Sequence, residues 1–118
     1  MVFPASRELE LFPVILREYN KPEDDIHDHL IEYFKDYPSQ MSNFPEGVIT
    51  SRPDLHKCAN IYVKRLIEWF DDCLAEYRNQ YQLYCDKLAI SQCWFNHAPP
   101  KSGVGHPLHR HPMSYVSA

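Results

Sequence analysis

Residues 54–96 read DLHKCANIYVKRLIEWFDDCLAEYRNQYQLYCDKLAISQCWFN, and the spacing of their apolar residues changes partway along. The first part of this stretch carries apolar residues at spacings of three and four, which predicts a long amphipathic helix over about Asp54–Tyr84. Its last ten residues, Lys87–Asn96, alternate between two faces, as in a strand. A helix followed by a strand in so short a chain indicates an α+β fold.

Upstream of this stretch, the sequence predicts one more strand and one more helix. LFPVILREY, at Leu11–Tyr19, is an apolar run rich in branched residues, which is typical of a strand. Asn20 is then a candidate helix cap, with Glu23 placed to return the bond and Pro22 suited to the first turn. Pro38 should end that helix.

The C-terminal residues complete the predicted organisation. A loop rich in proline and glycine follows. HRHPMSYVSA, at His109–Ala118, then predicts a further strand, which is still in progress where the sequence ends. We therefore expect a single domain over residues 1–118, with a strand and helical support in 11–84 and strands in 86–118. The long helix should pack a stripe containing Val63, Leu66 and Phe70 on the later strands.

Composition narrows the class of protein. The chain has 118 residues, 44% of them hydrophobic, which suits one globular domain. Its net charge of −4 argues against a nucleic-acid partner. The sequence has no apolar run of membrane-spanning length. Acidic residues stand where a signal peptide needs its apolar stretch, so we do not expect secretion by that route. Its four cysteines form no Cys-x-x-Cys pair, so we expect reduced thiols in a cytoplasmic protein.

Histidines are the sharpest chemical feature of the C-terminal region, which contains no carboxylate after Asp86. If His109 and His111 lie on a strand, their side chains share one face and could bind one metal ion. His106 is a third candidate ligand. Imidazole suits iron, zinc, copper and nickel alike, so the spacing does not select the metal. The alternative is a histidine-rich loop that binds no metal.

Two short motifs in this region resemble a known family. Trp94-x-Asn96 is followed by a loop and then by His109-x-His111-Pro-x-Ser-x-x-Ser, ending at Ser117. Together with LFPVIL near the start, this order is similar to that of 2-oxoglutarate/Fe(II)-dependent oxygenases found widely in marine bacteria and their phages. The resemblance spans about residues 9–118, and the last thirty residues carry most of its specificity.

The resemblance implies a double-stranded β-helix, or jelly roll, that binds Fe(II) and 2-oxoglutarate and hydroxylates a substrate that the sequence does not identify. It implies that His109 is the first metal ligand and that His111 stands where the superfamily has a carboxylate. Trp94 and Asn96 would line or brace the cofactor pocket. The distal histidine and the base that pairs with 2-oxoglutarate would lie beyond Ala118. We therefore expect the N-terminal portion of such a fold, with an incomplete active site.

A second interpretation belongs to another class of protein. The chain could be a short non-catalytic binding or structural protein that pairs through its open strands, because an exposed sheet edge accepts another strand. Both interpretations predict a homo-oligomer, and neither needs a membrane or a nucleic acid. Only the first needs a small-molecule cosubstrate. A reading frame that continues into a further strand and a later histidine would favour the enzyme.

Overall fold

The computed structural model describes residues 15–21, 24–37, 39–41, 49–98, 103 and 110–118. In chain order, the elements are α1 (Ile26–Lys35), β1 (Ser39–Met41), β2 (Ile49–Ser51), a 3-10 turn (Leu55–Lys57), α2 (Ile61–Gln80) and β3 (Asn96–His97). This arrangement confirms the predicted α+β class. It does not show a jelly roll, because the described strands form a single small sheet.

Helix α1 begins later than the sequence suggested. Its first residue is Ile26, whose backbone N–H donates to the Asp24 carboxylate at 3.2 Å. Asn20 lies in irregular chain well before the helix, so the predicted cap there is wrong; Glu23 lies outside the described residues. The Asp24 carboxylate occupies the position that a cap oxygen would take, because acceptors are favoured at the positive end of a helix.

Helix α2 also begins later, because the chain is extended at Cys58 and interrupts the predicted helix. The new start is fixed by Asn60, whose side-chain oxygen accepts from the N–H groups of Tyr62 and Val63 at 2.9 and 3.2 Å. These two bonds satisfy backbone donors that a helix leaves unpaired at its first turn. The predicted start near Asp54 therefore holds only a 3-10 turn.

The end of α2 is a Schellman motif. The N–H of Leu83 donates to the carbonyl of Arg78 at 3.2 Å, and the N–H of Gln82 donates to that of Asn79 at 3.3 Å. Gln82 has a φ of 48°, in the left-handed region that such an ending requires. The helix therefore stops at Gln80 and does not reach Tyr84.

The sheet is antiparallel, with strand order β1-β2-β3. Ser39 pairs with Ser51 in one ladder, and Thr50 pairs with Asn96 in the other. Cys93 extends this contact, because its backbone exchanges bonds of 2.9 and 3.0 Å with Pro53 and Leu55.

Three predicted strands are wrong where the structure describes them. Residues 15–19 are irregular, and residues 11–14 lie outside the described residues. Most of Lys87–Asn96 is also irregular, since only the end of this stretch finds a partner strand. Residues 110–118 form turns and bends: Ser114 N–H donates to His111 O at 3.3 Å. Pro112 precedes Met113, whose φ is 63°, an order typical of a type II turn.

The core lies between the two helices and the 3-10 turn. Its buried apolar residues are Ile26, Leu30, Leu55 and Val63. The apolar stripes of both helices are thus confirmed, and α2 packs chiefly on α1 and the turn. From the predicted strand over Lys87–Asn96, Cys93 and Phe95 pack against this same core, so the predicted packing against that strand is confirmed only at its end. Leu66 and Phe70, further along that stripe, are only half-buried.

Side chains, not a backbone ladder, attach the irregular segment 15–21 to α2. The Arg17 guanidinium donates to both carboxylate oxygens of Glu76, with Nε–Oε2 at 2.9 Å. The Tyr19 hydroxyl donates to the same carboxylate. Burial of the ring and this bond to a carboxylate raise the pKa of Tyr19 to about 12, so its hydroxyl remains a donor.

Stability should depend on the charge of Glu76. The hydrogen bonds from Tyr19 and Arg17 lower the pKa of this carboxyl below its ordinary value. Its contribution is therefore complete above about pH 4.3, the unfolded-state value, and is lost as the pH falls through the lower folded value. Denaturant titrations should show the native chain to be more stable than Glu76→Gln at neutral pH. The two curves should converge in acid, and a difference unaffected by pH would contradict this.

Candidate functional site

The segment Cys93–Asn96, which leads into β3, has two faces with different surroundings. Phe95 points to the core, where its ring stacks on Phe34 with centroids 4.3 Å apart and meets the Tyr37 ring edge-on at 5.9 Å. Cys93 packs against the same core. Because alternate residues of an extended chain point to opposite faces, Trp94 and Asn96 lie on the side away from the core. The alternation predicted from the sequence is confirmed for these four residues.

Trp94 contacts the second motif directly. Its ring stacks on His111, with centroids 5.9 Å apart and planes 20° from parallel. His111 is exposed, and Trp94 is half-buried. Two motifs that are separate in the sequence are therefore adjacent on the outer side of the sheet.

Asn96 is held from the neighbouring strand. The Thr50 hydroxyl donates to Oδ1 of Asn96 at 2.8 Å, and the two residues lie directly opposite each other in the ladder between β2 and β3. Sequence reasoning missed Thr50, because nothing in a lone threonine identifies its cross-strand partner. Trp94, His111, Asn96 and Thr50 form what we call the outer-face cluster.

The predicted metal ligands are only partly described. His106 and His109 lie outside the described residues. His111 begins a turn, so a strand does not set its direction relative to His109. Among the residues that the structure does describe, no group of three histidine, cysteine or acidic side chains is placed to hold a metal ion. The two-histidine site therefore stays a prediction.

Two surface hollows lie away from the outer-face cluster. One is at the end of α2 around Arg78 and Asp86, and the other lies between the helices, beside Arg65 and Trp69. Neither includes Trp94 or Asn96. Within the outer-face cluster, Asn96 and His111 are exposed.

The four cysteines all lie in the described part of the chain. All four are free thiols. Burial raises the pKa of Cys93, which keeps its thiol protonated. Cys58 lies 2.8 Å from the hydroxyl oxygen of Tyr33, and this contact, together with burial, raises the pKa of Tyr33 to about 12. Cys58 and Cys93 pack against the core.

Comparisons with known proteins add no constraint on the site: no family model, no curated protein and no solved structure matches the chain. Neither of the described α-helices combines the length and the apolar character needed to cross a bilayer.

Proposed function

We propose that the chain is a 2-oxoglutarate/Fe(II)-dependent oxygenase-like protein, in which the outer-face cluster forms part of the site. The substrate to be hydroxylated is not identified by the residues present. The observation that carries the proposal is the stacking of Trp94 on His111 at 5.9 Å. It brings together the two motifs on which the family resemblance depends. We include in this proposal that the complete fold is a jelly roll.

The donor chemistry is compatible with the implied metal. Imidazoles are suitable ligands for Fe(II), and His109 with His111 would supply two of them. The described residues themselves offer only His111 for this role, with Trp94 against one side of its ring. Bound iron and 2-oxoglutarate would supply the oxidising chemistry. The residues of this chain would orient the imidazole and donate hydrogen bonds to the cosubstrate.

Metal binding should depend on the two histidines. We expect Co(II), used anaerobically as a spectroscopic substitute for Fe(II), to bind weakly and to bind less well as the pH falls, because imidazole binds metal only when neutral. The double variant His109→Ala, His111→Ala should lose the Co(II) absorption. His27→Ala removes one exposed imidazole from α1 and should bind as the native chain does.

The cosubstrate provides the second half of this test. Calorimetric titration with 2-oxoglutarate should show tighter binding when the metal is present, because 2-oxoglutarate would then contact the metal as well as the protein. Unchanged Co(II) affinity in the double variant would remove the metal assignment. Binding of 2-oxoglutarate that is the same with and without metal would remove the oxygenase proposal.

The non-catalytic alternative is favoured by a different observation. Large apolar side chains are exposed in the described residues, including Leu16 at 87%, Met113 at 103% and Tyr115 at 77%. Exposed apolar surface often marks an interface. Sedimentation velocity should then show a dimer or a larger species. A monomer at all concentrations would contradict homo-oligomer formation in either interpretation.

A further inference from the structure

The hydrogen bond between Thr50 and Asn96 fixes which end of the amide faces outward. A side-chain amide has an accepting oxygen at one end and a donating NH2 group at the other. Because Oδ1 of Asn96 accepts from Thr50 at 2.8 Å, the NH2 group lies on the side away from that contact. Thr50 is itself suited to this role, since β-branching restricts its first side-chain torsion.

Orientation matters here because Asn96 is exposed. An exposed amide without a partner rotates and presents either end to a ligand. One that is already held does not lose that freedom on binding, so more of the interaction energy appears as affinity.

The charges in this part of the chain are compatible with an anionic ligand. The sequence has no carboxylate after Asp86, and Arg110 lies next to His111. Asp54, the acid that follows β2, forms an ion pair with Arg52 at 3.1 Å. These acidic residues therefore do not repel a carboxylate at the outward NH2 group of Asn96.

We infer that Thr50 is a positioning residue: it holds Oδ1 of Asn96 so that the amide NH2 group is presented as a donor to a ligand carboxylate. The identification of that ligand as 2-oxoglutarate rests on the proposed function. The orientation of the amide is independent of the proposed function.

The orientation is tested first, without a ligand, by 15N relaxation of the Asn96 side-chain NH2 group, assigned by its loss in Asn96→Asp. Thr50→Val removes only the hydroxyl and suits a strand equally well. We expect it to lower the order parameter of the NH2 group into the flexible range, below about 0.6. Thr50→Ser keeps the hydroxyl and should restore the native value. An order parameter that is the same in the native chain and Thr50→Val would overturn the inference.

The donor role is tested by titrating the same NH2 signals with 2-oxoglutarate, succinate and the neutral diamide of succinate. We expect shifts with both carboxylates and none with the diamide. Affinity should be about fivefold to tenfold weaker in Thr50→Val, as for the loss of one hydrogen bond, and near native in Thr50→Ser.

Failure of this inference and failure of the proposed function give different results. If no carboxylate shifts the NH2 signals, or if Thr50→Val binds carboxylates as the native chain does, the inference is wrong even where metal-dependent 2-oxoglutarate binding persists. If both carboxylates bind in a manner that depends on Thr50, but added metal does not strengthen 2-oxoglutarate binding, the inference stands and the oxygenase proposal falls.

Discussion

Leu55→Ala is expected to lower the free energy of unfolding by about 2–5 kcal/mol, the range found for truncating a buried leucine. Leu55 is 2% exposed, and its neighbour in the core, Val63, is fully buried. Both α2 and the 3-10 turn contribute to this core, so a cavity here weakens the contact between them. Only four apolar residues are buried among those described. For so small a core, a loss of this size is a large part of the stability.

The matched control is Leu16→Ala, which makes the same chemical change at a side chain that is 87% exposed. It should alter stability by less than about 0.5 kcal/mol. Denaturant unfolding followed by circular dichroism measures both variants. Equal losses at the two positions would show that Leu55 is not a core residue.

Ser51→Ala should cost about 1–3 kcal/mol, because it leaves a backbone donor without its partner. Ser51 is 3% exposed, and its hydroxyl oxygen accepts from the N–H of Phe95 at 3.0 Å. The same two residues are joined by a backbone bond from Ser51 N–H to Phe95 O, also at 3.0 Å. Removing the hydroxyl therefore weakens the attachment of the strand that carries the outer-face cluster.

Amide hydrogen exchange locates this effect. The Phe95 amide should exchange faster in Ser51→Ala, while amides in the middle of α2 should change only by the global loss of stability. Ser91→Ala removes a hydroxyl from an exposed position in the irregular chain before β3 and should change neither measurement. Unaltered exchange at Phe95 would rule out the side-chain bond as a significant contact.

The two helices could be predicted from the sequence, and their ends could not. Amphipathic stripes identify a helix over many residues, whereas an end depends on one capping contact. Asn60 caps α2, but Ser51 and Asp54 are residue types that cap equally well, and the sequence does not choose among them. At the other end, a glutamine takes the left-handed position where glycine is the usual signal.

The strands were harder to predict because alternation alone does not make a strand. Residues 87–92 alternate as Cys93–Asn96 do, yet only the latter stretch makes backbone bonds to the chain between Ser51 and Leu55. At His111, the following Pro112 favours a turn, and this local preference prevails over the alternation. The residues of the candidate site could be named from their motifs, but the contact with Thr50 depends on a register that only the folded chain reveals.

The two faces of the segment Cys93–Asn96 are under different constraints. Changes at Cys93 or Phe95 affect packing in the core. Under the proposed function, changes at Trp94 or Asn96 affect what the protein presents to a ligand. Recognition and stability can therefore diverge independently within four consecutive residues. A deletion or insertion of one residue here would move each following side chain to the opposite face and so exchange the two roles. Substitutions can therefore change the specificity of this segment without disturbing the core, whereas changes in its length cannot.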